Sequence, residues 1–432
     1  TKLNVGKKTD ALLGINYFNY DNPIDNNNDN FTDVTLQERI SIFQKWNFKR
    51  KNNKKLSVAG RFFYEDRWGG ELQWNKSHRG GNEVYGESIY TTRYGESIET
   101  RRWEVLGKYQ LPIKEKIIFS FSYNDHHQDS FYGDTPYLAD QRIGFAQLTW
   151  DKSAGKHDLL FGTSIRYNYY DDNTSATANS EGNNPDEINI PSLYVQDEIK
   201  FNKKHSLLLG ARYDYDKRHG SIFTPRTAYK WKVSTNGILR LNAGTGFRVV
   251  NLFTEEHAAL SGARDVIVAN QLKPEQSYNA NLNFLQKIYG SDGTYATLDA
   301  SIFYTHFTNK ILPDYDTNLN QIIYDNLDGK AVSKGISANF DISFPNNLKL
   351  SLGATLMDVS TTENDMTENQ ILTESYSGTW GISYSIKSLN LTMDYTGNLY
   401  GPMRLPILGE LDPRSEYSPV WSIQNIQFTY KG

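Results

Sequence analysis

Two-residue alternation of apolar and polar side chains runs through almost the whole chain, and few folds tolerate it. Leu56, Val58, Gly60, Phe62 and Tyr64 interleave with Ser57, Ala59, Arg61, Phe63 and Glu65. Leu207, Leu209, Ala211, Tyr213 and Tyr215 interleave with Leu208, Gly210, Arg212 and Asp214. Leu389, Leu391, Met393 and Tyr395 do the same with Asn390, Thr392, Asp394 and Thr396. Successive side chains of a strand point to opposite faces, so each segment carries one apolar and one wetter face. The apolar half usually ends in Tyr, Trp or Phe. Two kinds of connection take turns between the segments. Nine are short and rich in Asn, Gly and Lys, as hairpin turns should be: 6–9, 51–54, 112–115, 153–156, 202–204, 234–237, 290–294, 345–347 and 387–388. The others are long and polar: 21–34, 68–95, 129–138, 172–187, 216–224, 247–274, 312–331, 359–374 and 401–418. This predicts about 19 strands of roughly 9–15 residues, longer than the globular mode of about 5–6.

So many half-apolar strands need one medium that covers every apolar face together. Lipid does so, provided the sheet closes and leaves no edge unsatisfied. Short turns at one end and long loops at the other are the pattern of a transmembrane antiparallel β-barrel, an all-β fold. Arg61, Arg166, Arg212, Asp214, Arg240 and Asp394 then face a wet interior. A soluble propeller, solenoid or sandwich is the rival reading, but no blade-length repeat appears. Composition excludes other classes. No run of about 18 apolar residues exists for a membrane helix. The chain has no cysteine, hence no disulfide scaffold. Its 46 basic residues are mixed among 50 acidic ones for a net charge of −4, which gives no case for nucleic acid. No domain boundary falls within 1–432. Thr1 opens the sequence without Met or a leader pattern, and the last residues read as a strand followed by a turn. The expectation is a barrel fragment.

A barrel above about 18 strands has a lumen too wide for its own side chains, so it is either open or plugged. Gly244-Thr245-Gly246-Phe247-Arg248-Val249-Val250-Asn251-Leu252-Phe253, followed by Leu272-Lys273-Pro274-Glu275-Gln276-Ser277-Tyr278, resembles a signature of TonB-dependent outer-membrane receptors. Val249-Val250 stands where that family usually has Ala-Pro. Tyr64-Glu65-Asp66-Arg67-Trp68-Gly69-Gly70 and the aromatic loop after it add to the likeness, which points to siderophore and cobalamin receptors of the Bacteroidetes type. The resemblance implies a 22-stranded barrel behind an N-terminal plug. It then implies that 1–432 lacks the plug, the first strand and the last two strands. It also implies a Gram-negative outer membrane, a metal-chelate ligand, and the TonB complex as partner through the plug. It leaves room for a surface lipoprotein partner, and it requires neither catalysis nor a cofactor.

Enzymatic motifs are lacking: there is no Gly-x-Ser-x-Gly elbow, no His-Glu-x-x-His and no Walker loop. Loop 68–95 gathers Trp68, Trp74, His78, Arg79, Tyr85, Tyr90, Arg93 and Tyr94. Arginine forks take carboxylate or catecholate oxygens, and aromatic rings stack on flat ligands. Trp74, Tyr85, Arg93 and Tyr94 are therefore candidate ligand contacts, against a reading in which they form a membrane girdle and pack the loop on itself. Loop 247–274 offers Arg248, His257 and Arg264. In haem receptors of the resembled family a histidine in this region ligates iron, and His257 occupies a similar place, against a plain solvated loop histidine. His126 and His127 sit among carboxylates and are weak candidates for a divalent metal, but adjacent strand residues point to opposite faces. Arg101 and Arg102 read as one wall-facing and one headgroup-facing charge. A ferric siderophore leads among ligands, with cobalamin, haem and free metal behind it. A passive porin or a surface-binding barrel is the alternative from another class.

Overall fold

The computed structural model describes residues 2–81, 93–174, 177–249, 265–268, 272–314, 317–318, 321–405 and 413–431. Twenty strands form one sheet. Nineteen of them make the wall: β1 (Lys2–Val5), β2 (Thr9–Tyr20), β3 (Leu36–Phe48), β4 (Leu56–Gly70), β5 (Gly95–Gln110), β6 (Lys116–Tyr132), β7 (Thr135–Ala154), β8 (His157–Asp172), β9 (Asp186–Lys200), β10 (His205–Asp216), β11 (Gly220–Trp231), β12 (Gly237–Arg248), β13 (Glu275–Tyr289), β14 (Tyr295–Thr308), β15 (Gly329–Ser343), β16 (Leu348–Glu363), β17 (Tyr376–Ile386), β18 (Leu391–Tyr400) and β19 (Trp421–Tyr430). The twentieth, Met366–Asn369, only extends β16 past its rim. Every wall strand pairs antiparallel with the next in sequence. Among the described residues, β1 and β19 each pair along one edge. No α-helix occurs among the described residues.

Side-chain parity follows from the register. Leu241, Leu282, Ile302, Ile336 and Leu356 are successive cross-strand partners and form an unbroken outward row. Trp46, Tyr109, Trp150, Trp231 and Tyr384 lie on the same face near the short turns. Tyr17, Tyr64, Tyr123, Tyr213 and Tyr304 lie on it some seven to nine residues farther along their strands. At about 3.3 Å per residue and about 40° of tilt, the two aromatic rings bound a belt roughly 20 Å tall. Amphipathic rings favour a membrane–water boundary, which accounts for both. The opposite parity carries Arg61, Arg166, Arg212, Asp214, Arg240 and Asp394, the inward set that alternation implies. Residues with positive φ close the short turns, among them Gly155 (φ 62) in a two-residue hairpin and Asn390 (φ 50).

Two expected long connections are turns. β6 and β7 are joined by Gly133 and Asp134 alone, and β10 and β11 by residues 217–219. The pairing there runs through 129–138 and 216–224. Above the belt both faces are wet, so the apolar alternation stops while the backbone ladder continues. The loss of periodicity marked the end of the belt and not the end of the strand.

Candidate functional site

The described part of the aromatic loop, 71–81, folds over the outer surface of β4–β6. All its wall contacts are outward-parity residues. Lys76 pairs with Asp66 and sits 4.4 Å over the Trp68 ring. Arg79 donates from Nε to Ser97 Oγ at 2.7 Å and from its terminal nitrogens to Asp129, at 2.7 Å to Oδ1 and 2.9 Å to the backbone oxygen. Its guanidinium also covers Phe131 at 4.5 Å. Asn75 caps a short 3-10 turn whose His78 side chain is 2% exposed and accepts the Asn75 N–H. Trp74 is 7% exposed and lies over Gly95, where a Cβ would come within 2.5 Å of its ring. Trp74 is thus packed against the outside of the wall, away from the lumen. Tyr94 differs: it remains 44% exposed, faces Phe31 across 6.4 Å and donates to Glu96 at 2.8 Å. Burial, and then that carboxylate, push its phenol up to about 12. Arg93 is partly buried beside it. Tyr85 lies outside the described residues.

The signature residues meet at the root of the next long loop. Arg248 ends β12, Glu275 begins β13, and the two are direct cross-strand partners. Arg248 Nε donates to Glu275 Oε2 at 2.7 Å, while Glu275 Oε1 accepts the Ile311 N–H at 3.0 Å. One buried carboxylate therefore ties together two hairpins. Lys310 stands next to it, half-buried, with its amine donating to Gln370 at 2.7 Å. Desolvation lowers its pKa against the opposing pull of Glu275. Asn326 completes the tie, accepting the Lys273 N–H at 2.7 Å and donating to the oxygens of Lys273 and Asn309. His257 and Arg264 lie outside the described residues.

From this root the chain enters the mouth of the lumen. Residues Asp265–Val268, Ile311–Asp314 and Gln321–Asn326 form a separate three-stranded sheet, which joins two long loops into one body. Its Ile311, Ile322 and Tyr324 pack on Tyr132, Tyr137, Ala139 and Tyr170, all of inward parity on β6–β8. Anchored between β12 and β15, it reaches a wall that lies four strands from β12 and six from β14. The receiving surface is braced: the Tyr137 and Tyr170 hydroxyls are 2.7 Å apart, and Tyr170 donates to Asp172 Oδ2 at 2.7 Å. Asp172 Oδ1 accepts from the Thr174 N–H, the Thr174 hydroxyl and the Thr177 hydroxyl. The sequence left these residues unmarked, although Tyr169-Tyr170-Asp171-Asp172 at the close of an alternating segment was the available sign.

The histidine pair separates as strand geometry requires. His127 points outward to Asp140 at 2.8 Å, and His126 has inward parity opposite Arg102. No group of three or more metal-binding side chains assembles among the described residues. Arg101 is outward, bonded to Glu99, and Arg102 is inward, paired with Glu104.

A belted wall of this many strands, a wide polar lumen and loops folded into one mouth define a large outer-membrane β-barrel. Residues 3–430 match the family described as "TonB dependent receptor-like, beta-barrel", and the chain belongs to it. It resides in the outer membrane of a Gram-negative bacterium. It is 28% identical over 163 residues to an iron-regulated outer membrane virulence protein of Vibrio cholerae, a stretch covering 36% of this chain and 24% of that protein. The siderophore receptor PirA from Acinetobacter baumannii superposes with a TM-score of 0.71 at 14% identity, over 99% of this chain and 70% of that one. The ferric enterobactin receptor PfeA of Pseudomonas aeruginosa, in complex with BCV-L6, gives 0.70 at 15%, over 100% and 70%.

Proposed function

We propose that the chain is the barrel of an outer-membrane receptor that binds an iron chelate, foremost a ferric siderophore, at its long-loop end and imports it with TonB-derived energy. The observation that carries this reading is the mouth. Two loops rooted on Arg248 and Glu275 fuse into a sheet that docks on the inward tyrosines of β6–β8. Loops so rooted and joined give the entrance a fixed surface of the kind that selective ligand binding needs. Tyr94, exposed at the rim, and Arg93 beside it are the described residues best placed for an anionic, aromatic ligand. Tyr85, His257 and Arg264 remain proposed contacts on chemistry alone, and Trp74, packed on the outside of the wall over Gly95, is not among those facing the lumen. Haem, cobalamin and free metal remain ligands to be tested. The single unpaired edges of β1 and β19, and the greater length of the matched receptors, support a longer protein with a plug and further wall strands.

The test is growth under iron limitation of a strain deleted for the gene and complemented with the full-length gene, supplied with ferric siderophore, haem or cobalamin singly. Rescue on one source that vanishes when TonB is deleted is the expected result. Growth on none would remove iron-chelate import. TonB-independent rescue, with ion conductance in bilayers, would favour the porin reading.

A further inference from the structure

The lumen wall has two unlike halves. Nine inward-parity arginines, Arg39, Arg61, Arg67, Arg102, Arg166, Arg212, Arg226, Arg240 and Arg248, all lie between β3 and β12. No strand from β13 to β19 carries an arginine, and Arg404, in the connection before β19, is paired with Glu368 and Glu416. The inward surface of those strands mixes amides and hydroxyls, such as Asn281, Ser337 and Thr379, with the carboxylates Asp299, Asp341 and Asp394 and, near the short turns, Lys287 and Lys349.

On the arginine side the charges climb in order. Arg240 is three residues in from Gly237, Arg226 five in from Trp231, Arg212 seven in from His205 and Arg166 nine in from His157. Those four strand ends all border short turns, so the guanidiniums rise from the short-turn end toward the mouth. Arg212 is neutralised by Asp214, with bonds of 2.8–3.0 Å. The other three lack a carboxylate within ion-pairing distance among the described residues. Arg226 meets only the Gln196 amide and Arg240 only the Asn283 amide, at 3.1 Å. Arg166 makes no hydrogen bond or ion pair with a described residue and is exposed. A planar fork held by a neutral amide exchanges readily for an anionic oxygen, whereas a salt-bridged one does not. Conduction asks for several sites, each weak enough to leave.

We infer that Arg166, Arg226 and Arg240 are successive stations for an anion moving down the β8–β12 wall from the mouth to the short-turn end. The transported solute is therefore negatively charged, and the opposite wall, with its inward Asp299, Asp341 and Asp394, is not its track. This rests on the import function proposed above.

The test uses cells producing the full-length protein and radio-iron-labelled ferric enterobactin, an iron(III) tris-catecholate and thus an anion. Outer-membrane level and heat-modifiable migration confirm each variant is folded. The triple variant Arg166→Gln, Arg226→Gln, Arg240→Gln should lose about tenfold in uptake rate, by the loss of charge-assisted contacts. Ligand binding on ice should not change. The three Arg→Lys replacements should retain most uptake, and Ser337→Gln on the opposite wall should be silent. Uptake by the triple Gln variant at the wild-type rate overturns the inference. So does a loss of binding that matches the loss of uptake, which would make these arginines the receptor site. Unchanged uptake with new sensitivity to a bulky unrelated antibiotic would show that they hold protein in the lumen, and overturns it as well. If the wild type imports no chelate at all, the function proposed above fails and the inference falls with it.

Discussion

Leu282 and Asn281 are neighbours on β13 that the register sends to opposite sides of the wall. Leu282 is flanked by Leu241 and Ile302 in the outward row that continues to Ile336 and Leu356. No carboxylate in that row could partner a cation. Leu282→Arg therefore sets a guanidinium on the lipid face, seven residues in from the short-turn end and just below the upper aromatic ring, at a cost of about 1–2 kcal/mol. Asn281→Arg points the same group into the lumen beside Asn242 and Phe303. It stays hydrated there and should change stability by no more than about 0.5 kcal/mol. At 1.4 kcal/mol per factor of ten, the two variants should differ by about twofold to thirtyfold in folding equilibrium. The assay is reversible folding of the full-length protein into phospholipid vesicles across a urea series, scored by heat-modifiable migration. A third variant calibrates depth. Leu209 is also outward and lies midway between the aromatic rings, four residues from the short-turn end and four short of Tyr213, so Leu209→Arg should cost more than Leu282→Arg, about 2–4 kcal/mol. Equal costs for Leu282→Arg and Asn281→Arg would refute the face assignment, and a larger cost at Asn281 would invert it.

Arg79→Ala removes the bonds to Ser97 and Asp129 and the cover over Phe131. It should open 71–81 by about 1–3 kcal/mol locally, read as faster trypsin cleavage after Lys76 with no change in barrel folding. Glu275→Ala cuts the tie to both Arg248 and the Ile311 N–H, so 311–326 should become protease-sensitive. Glu275→Gln, which can still accept from Ile311, should do so less, and equal protection of all three proteins would refute the role of this carboxylate. Tyr94 has a folded pKa raised from 10.0 to about 12 through burial and its bond to Glu96. A raised pKa means its contribution is intact below about 10 and is lost as pH climbs through about 12. The ultraviolet difference between wild type and Tyr94→Phe should therefore show a phenolate appearing near 12, and titration near 10 would contradict the bond.

The wall was legible because lipid leaves a chain no freedom. Every outward residue within the belt must be apolar, so a period of two is written into each strand, and a one-residue slip would expose the whole set. The signature was legible for a similar reason. Arg248 and Glu275 are 27 residues apart in sequence yet cross-strand partners in space, and one ion pair fixes where the intervening loop is rooted.

Above the belt that constraint disappears, and with it the power of periodicity. Water accepts either face, so β6 and β7 continue through residues where alternation has ceased, and Gly133 and Asp134 turn them far from the membrane. The aromatic loop shows the same limit from another side. Trp74, His78 and Arg79 have the composition of a binding surface, but composition does not say which side of a sheet a loop will choose. Asp66, Ser97, Asp129 and Phe131 drew this one outward. Conversely, Tyr137 and Tyr170 acquire meaning only when Ile311, Ile322 and Tyr324 arrive from six strands away. Loop sites on a barrel are decided by contacts between segments that share no local pattern. The parity of the wall residue each loop finds shows whether that loop serves the lumen or only braces the rim.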